Sequence, residues 1–319
     1  MISRHLSDFA LDVKADAMSV LPSLAEFFLR SKLLRQKVAL IASFKLTYRC
    51  NLTCQGCPFH LRSQQENYHM SWNTAVESIE RLYHDACRIL VFEGGEPLMW
   101  RDGKYTFSDL ARLAHNKFLR TAVTTNGTFN LNVPTDIVWV SIDGSKSTHN
   151  RLRCNSFDKI VANLSKATHP KILVHFTINN QNWMELENLL DMLNQIPQVK
   201  GVTLQLFYPY NQGETSLALD RKTRRLAMES AIMLKRQGYP ILNSTWSLKA
   251  MINNSWKCHE HLLTNVDPDG TITQGCYVKS RGEIDCSQCG FTPVAEASGA
   301  FDLIPGSLLA GWRIFLNNK

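Results

Sequence analysis

Short runs of β-branched and aromatic residues alternate with longer amphipathic segments along most of the chain. Six strand-like runs occupy residues 38–46, 88–92, 118–124, 137–142, 171–178 and 201–207. Helical patterns at 72–86, 108–116, 157–167 and 183–195 separate most of them. Strands that alternate with helices are typical of parallel βαβ units. Six units in about 170 residues predict an α/β fold, a partial (β/α)6 TIM-type barrel, because a closed eight-stranded barrel usually needs about 250.

The same pattern divides the chain into four parts. They are an N-terminal helical segment at 1–38, the barrel at 39–213, a helical connection at 214–257 and a cysteine-rich C-terminal extension at 258–319. Turn residues at 267–270 predict a hairpin within the extension. Segment 21–34 mixes apolar and basic residues, so its apolar face rests on its own domain, on a membrane surface or on a lipid substrate.

Composition restricts the classes of partner. Hydrophobic residues make up 44% of the 319 positions, and 35 basic against 28 acidic residues give a net charge of +7. The charge is spread out and forms no basic, aromatic-rich stripe, so a nucleic-acid partner is not expected. No apolar run approaches the ~20 residues of a membrane span, and no signal peptide is recognisable. A cytoplasmic protein is predicted.

Seven of the nine cysteines fall in two groups. In the first, Cys50, Cys54 and Cys57 form a C-x3-C-x2-C loop directly after the first strand-like run. Three thiolates from one loop can ligate three irons of a cubane and leave the fourth iron without a protein ligand. An open position is what a catalytic metal site needs. A zinc site completed by His60 is the alternative.

A second motif, Gly94-Gly95-Glu96-Pro97, follows the second strand-like run. Together the two motifs resemble the radical S-adenosylmethionine (SAM) superfamily, over roughly residues 39–290. The resemblance implies a [4Fe–4S] cluster with an open iron on Cys50, Cys54 and Cys57, and SAM as cofactor. It also implies that residues 94–97 contact the SAM amino group, since glycines admit backbone carbonyls closely and a carboxylate adds opposite charge.

The resemblance extends to polar residues after the later strands and assigns them to SAM binding. These residues are Thr125, Asn126, Ser141, Asp143, Arg153 and Asn179. Arg153 would pair with the SAM carboxylate, although the next residue is Cys154 where the family has glycine. Gly56 stands where many members have an aromatic residue, and Phe59 is expected to contact the adenine instead.

The second cysteine group comprises Cys258, Cys276, Cys286 and Cys289, spaced x17, x9 and x2. Four such thiolates bind either zinc or a second [4Fe–4S] cluster. The resemblance favours a twitch-like auxiliary cluster, since the SPASM pattern of seven cysteines is not complete. With all four ligating, no iron is open, which favours electron transfer or a structural role.

The predicted function is therefore that of a radical SAM enzyme. Reductive cleavage of SAM would give a 5′-deoxyadenosyl radical that modifies a small-molecule or lipid substrate, with electrons from a ferredoxin or flavodoxin type donor. One alternative is a maturase of a ribosomally made peptide, for which segment 1–38 is too short to hold a recognition domain. Another is a non-catalytic metal-binding scaffold, which has no use for a SAM-binding segment at 94–97.

Overall fold

One twisted sheet organises the chain. The computed structural model describes residues 20–57, 59–63, 68–209, 215–276, 278 and 284–317. Its strands are β1 (Ile41–Thr47), β2 (Ile89–Gly94), β3 (Arg101–Asp102), β4 (Tyr105–Thr106), β5 (Arg120–Thr125), β6 (Ile137–Ser141), β7 (Ile172–Ile178), β8 (Val199–Leu206), β9 (Leu263–Val266) and β10 (Ile272–Gln274). The order β10-β9-β1-β2-β5-β6-β7-β8 gives an eight-stranded sheet, parallel except for β10 against β9. Strands β3 and β4 form a separate hairpin.

Helices cover the outer face of the sheet and both flanks. They are α1 (Val20–Phe28), α2 (Phe59–Arg62), α3 (Trp72–His84), α4 (Phe107–His115), α5 (Lys146–Leu152), α6 (Phe157–Lys166), α7 (Leu186–Asn194), α8 (Arg221–Arg236), α9 (Thr245–Ala250), α10 (Thr292–Phe301) and α11 (Pro305–Gly311). A π-helical turn, Leu29–Leu33, extends α1, and another, Trp312–Leu316, extends α11.

Local sequence explains the barrel elements. Ser71 caps α3 by accepting a hydrogen bond from the Thr74 amide at 3.1 Å. Helix α3 then buries residues at spacings of three and four, which is the period of a helix face packed on a sheet. In β7, Val174 and Phe176 point to the helices, whereas His175 and Thr177, which alternate with them, line the barrel interior.

The C-terminal extension completes the barrel. Strand β9 pairs with β1, and Thr292 at the start of α10 donates a hydrogen bond to the Leu204 carbonyl of β8. Helix α10 therefore lies across the open side of the partial barrel. At the amino ends of the strands, Lys171 donates to the carbonyls of Arg313 (2.9 Å) and Asn317 (2.5 Å), so the last π-helical turn covers that end.

The predicted α/β partial-barrel fold is confirmed, whereas the iron–sulfur character of the C-terminal extension stays a prediction. All six predicted strands form the parallel run β1, β2, β5, β6, β7 and β8. The expected hairpin is β9–β10, and it continues the barrel sheet instead of standing apart. Residues 1–19 of the predicted N-terminal helical segment lie outside the described residues. The domain boundaries near 38, 213 and 257 stay predictions. No described helix is long and apolar enough to cross a membrane.

Candidate active site

A cavity of about 430 Å³ occupies the barrel interior. The cysteine loop and the polar strand ends line it at the carboxyl end. At the amino end the lining residues are mostly apolar and come from α1, α10 and the last π-helical turn, and they include Glu296 of α10. Its volume is that of a site for a small molecule.

Cys50, Cys54 and Cys57 lie on the loop after β1 and line the cavity. The Gln55 amide fixes the loop by donating to the Leu152 carbonyl at 2.9 Å. Burial raises the pKa of Cys54 to about 12, and nearby Arg153 opposes that shift. Burial also raises the pKa of Cys50. As free thiols these groups are neutral, and a bound metal would deprotonate them.

Gly94 and Gly95 line the cavity and also bring two loops together. The Gly95 amide donates to the Thr47 carbonyl at 2.8 Å. A Cβ atom on Gly95 would lie 2.2 Å from the Arg49 carbonyl oxygen, directly before the first cysteine. The glycines thus allow backbone-to-backbone contact with the start of the cysteine loop, a role that the sequence did not reveal.

The Glu96 carboxylate faces the protein. It accepts hydrogen bonds from the amide of Asn126 (2.7 Å), the hydroxyl of Thr125 (2.8 Å) and the amide of Leu98 (3.0 Å). Burial raises its pKa to about 7. Neither Glu96 nor Pro97 is among the described residues that line the cavity. Glu96 therefore positions the end of β5.

Asn126 links that strand end to the cysteines. Its side-chain amide donates to Asn51 at 2.8 Å and lies 3.6 Å from the Cys50 sulfur. Thr125 and Asn126 both line the cavity. The loop thus has a hydrogen-bond donor beside the Cys50 sulfur. Hydrogen bonds to ligand sulfurs adjust the reduction potential of an iron–sulfur cluster.

Asp143 and Arg153 form a buried ion pair at the cavity wall. The Arg153 Nε lies 2.5 Å from the Asp143 carboxylate, whose other oxygen accepts from the Thr177 amide at 3.1 Å. Ser141 and Asn179 line the same wall. Arg153 is thereby held beside the cysteines, where its remaining donors are available to an anionic group.

Gly56 and Cys154 take left-handed backbone conformations beside the loop, with φ of 70° and 56°. A Cβ on Gly56 would lie 2.8 Å from the Phe207 ring, so Phe207 fills the space beside it. Phe59 also lines the cavity and stacks on Tyr48 with ring centroids 5.7 Å apart. The Cys154 sulfur accepts from the Thr53 amide at 3.3 Å, within the cysteine loop.

Comparison with known proteins identifies this arrangement. The family model of the radical SAM superfamily matches residues 44–193, which contain the cysteine loop and five of the parallel strand ends. Residues 44–193 of the chain therefore form a radical SAM domain. The predicted resemblance is thus confirmed for this region, and the curated relatives are named as enzymes, whereas the twitch-like extension stays a prediction. The family implies SAM and a [4Fe–4S] cluster.

Two curated radical SAM relatives have names that specify their products. The chain is 26% identical to Fe-coproporphyrin III synthase of Methanosarcina barkeri over 217 residues and 28% identical to pre-heme d1 synthase of Dinoroseobacter shibae over 223. Each match covers 63% of this chain and 53% of the relative. The chain therefore spans about half the length of the curated relatives it matches.

Solved structures share the radical SAM fold at low identity. The structure of anSMEcpe with bound AdoMet has a TM-score of 0.58 at 16% identity and covers 87% of this chain and 88% of that one. The structure of Streptococcus suis SuiB bound to precursor peptide SuiA has a TM-score of 0.61 at 13% identity. The match covers 93% of this chain and 70% of that one. At these identities the likeness concerns the fold alone.

The cysteine loop fits the radical SAM cofactors. Three thiols share one short loop, an arginine and an amide donor lie beside them, and the adjoining cavity has room for a ligand. Within the described residues, no three histidine, cysteine or carboxylate side chains close around a single ion.

The second cysteine group lies behind the cavity wall. Burial raises the pKa of Cys289 to about 11, with further increases from Cys258 and Cys286 close by. Cys276 packs in one apolar cluster with Cys289 and Tyr208. Tyr208 also lines the cavity and accepts from the Asp285 amide at 2.5 Å. Tyr208 therefore separates the cavity from the second cysteine group.

Several polar residues of the cavity were not anticipated, Glu93 and His175 among them. Glu93 of β2 and His175 of β7 point into the barrel below the cysteine loop. Ser43 donates a hydrogen bond to Glu93, and burial lowers the pKa of His175 to about 4, so its ring is neutral. The signal was present in the sequence, because each is a polar residue at an inward position of an otherwise apolar strand.

Proposed function

We propose that this radical SAM protein cleaves SAM reductively and uses the resulting radical to modify a small, largely apolar substrate inside the barrel. The observation that supports this most is the continuity of the cysteine loop with a deep cavity of apolar wall and polar centre. When bound, a reduced [4Fe–4S] cluster on Cys50, Cys54 and Cys57 supplies the electron that converts SAM to methionine and a 5′-deoxyadenosyl radical.

The residues of the chain have separate tasks in this proposal. Arg153, oriented by Asp143, offers its remaining donors to the SAM carboxylate. Backbone groups of Gly94 and Gly95 face the SAM amino group, and Ser141 and Asn179 bind its ribose and adenine side. Glu96 holds the strand end of Thr125 and Asn126 in place without touching the cofactor.

The interior residues bind the substrate. Glu93 and neutral His175 offer hydrogen bonds to a polar group of the substrate, while the apolar residues of α1 and α10 hold its remainder and exclude water. Tetrapyrroles are a second candidate class, because the two curated relatives are named for tetrapyrrole products and such molecules combine an apolar plane with polar substituents. Perturbation of a porphyrin absorption band on mixing would separate them from lipids.

The second cysteine group holds an auxiliary [4Fe–4S] cluster in this proposal. Cys258, Cys276, Cys286 and Cys289 supply four thiolates, and their position behind Tyr208 suits electron transfer to the cavity. An external donor of ferredoxin or flavodoxin type supplies the electrons. A reducing cytoplasm would keep these cysteines, all free thiols in the structure, available for iron.

The test is anaerobic reconstitution followed by incubation with SAM and dithionite. The unmodified chain should bind about eight irons and form 5′-deoxyadenosine. Cys54→Ala should abolish 5′-deoxyadenosine, because the cluster loses a ligand. Cys87→Ala is the matched control, since Cys87 is a buried thiol that donates to the Leu40 and Ile89 carbonyls away from the loop. Undiminished cleavage by Cys54→Ala would refute the proposal.

A further inference from the structure

Large apolar side chains are exposed at the amino end of the barrel. They belong to two segments that are far apart in sequence. One segment contributes Leu29, Leu33 and Leu34, and the other contributes Leu303, Leu308, Leu309 and Trp312. Their exposure ranges from 40% at Leu308 to 74% at Leu33. We call these seven residues the amino-end patch.

Contacts between the segments join the patch into one surface. The rings of Phe27 and Phe301 meet with centroids 6.5 Å apart. The Lys32 ammonium lies 3.7 Å from the centroid of the Phe301 ring and 3.7 Å from the Asp302 carboxylate. Helix α1 and the turn after α10 are thus held side by side. Contiguous apolar surface on a folded domain marks an interaction site.

Basic residues surround the patch. Arg35 and Lys37 follow the first segment, and Arg313 follows Trp312; all three are exposed. Among the acids at this end, Asp302 pairs with Lys32, and Glu26 pairs with Arg30 and Arg88. The remaining positive charge complements an anionic surface.

We infer that the amino-end patch binds the surface of a lipid bilayer that contains anionic phospholipids. Leucine and tryptophan side chains would enter the headgroup–acyl boundary, while arginine and lysine would meet lipid phosphates. This is binding to one face of the membrane. A protein partner is less well matched, because charged residues are depleted at the centres of protein interfaces and here they are interleaved with the leucines.

The cavity reaches the same end of the barrel. Phe28, Gly311 and Phe315 line it there, next to exposed residues of the patch. An apolar substrate could therefore pass from the bilayer into the barrel without crossing water. This consequence, unlike the membrane binding itself, rests on the proposed function.

Vesicle sedimentation with the full chain tests the inference. Vesicles of phosphatidylcholine with phosphatidylglycerol should bind the chain more tightly than pure phosphatidylcholine, and added salt should weaken the binding. Leu33→Ser combined with Leu309→Ser should lower partitioning by at least about tenfold, because two leucines no longer enter the apolar layer. Arg313→Gln should lower it by about fivefold on the anionic vesicles only.

Met184→Ser is the matched control. Met184 is exposed by 74%, as Leu33 is, but follows the carboxyl end of β7. Equal loss with Met184→Ser, or no binding by the unmodified chain, would overturn the inference. A dimer in sedimentation velocity that the double leucine variant converts to a monomer would also overturn it and assign the patch to a second copy.

The proposed function is measured separately in the same variants. Formation of 5′-deoxyadenosine in vesicle-free solution should be unchanged in all of them, because none contacts the cysteine loop. If the patch variants lose vesicle binding but still cleave SAM fully, the inference about the patch is supported. If the unmodified chain binds vesicles but does not cleave SAM, only the proposed function is refuted.

Discussion

The buried carboxylate of Glu96 shows how one side chain sets the geometry of a neighbouring strand. Three donors from Leu98, Thr125 and Asn126 surround it, and they fix the amide of Asn126 beside the Cys50 sulfur. A buried carboxylate is costly in isolation, and these donors offset part of that cost. The residue therefore links stability to the shape of the site.

Glu96→Gln should change how stability depends on pH. Burial raises the pKa of Glu96 from 4.5 to about 7, so between these values the folded chain binds more protons than the unfolded chain. The free energy of unfolding contributed by this group then falls as the pH rises, by about 3 kcal/mol. Denaturant unfolding at several pH values measures the free energy of unfolding of both proteins. The value for wild type minus the value for the variant should fall by this amount as the pH rises. If the free energies of unfolding of the two proteins changed with pH in parallel, this prediction would be contradicted.

Gly95→Ala should disorder the cysteine loop. The new Cβ would lie 2.2 Å from the Arg49 carbonyl oxygen and 2.6 Å from that of Tyr48, and backbone atoms cannot yield as a flexible side chain can. Iron content should fall, and 5′-deoxyadenosine formation should fall about a hundredfold, since misplacement of about 1 Å can cost that much. Gly306→Ala, whose Cβ would make an ordinary 3.4 Å contact, should behave as wild type.

Elements with local signals were predictable, and elements defined by distant partners were not. The six parallel strands follow from βαβ periodicity, so the strand-end positions of Asn126 and Asp143 followed too. The pairing of β9 with β1 and the position of α10 have no local signature, because contacts with far residues decide them. Equally, the sequence could not show that Glu96 faces the protein or that Phe207 lies beside Gly56, since both depend on packing.

Lys171 joins the last π-helical turn to the barrel, and Lys171→Met should loosen that turn. The variant keeps the apolar stem but removes the hydrogen bonds to the carbonyls of Arg313 and Asn317. We expect a loss of about 1–3 kcal/mol in stability and faster amide exchange at 312–317. Lys200→Met is the control, because Lys200 is exposed and donates only to the nearby Pro197 carbonyl. Unchanged exchange at 312–317 would refute this role.

The whole molecule is completed by its C-terminal extension, and the second cysteine group should stabilise that part. Cys289→Ala should lower iron by up to one cluster while sparing the first cluster. It should also raise amide exchange in β9 and β10, because a metal bound only to the folded state stabilises it. Loss of zinc with unchanged iron would contradict the auxiliary cluster and indicate a zinc site.

The pairing of β1 with β9 also has a consequence for the order of folding. Lys45 in β1 contacts Asn265 within β9 and Asp267 directly after it, and the first pair is separated by 220 residues in sequence. Contacts of such long range slow folding, because a large loop must close first. During synthesis the edge of β1 stays unpaired until residues near 263 leave the ribosome, and an unpaired edge invites aggregation. Chaperone protection over that interval, and late entry of iron, would therefore matter more for this chain than for a barrel closed by neighbouring strands.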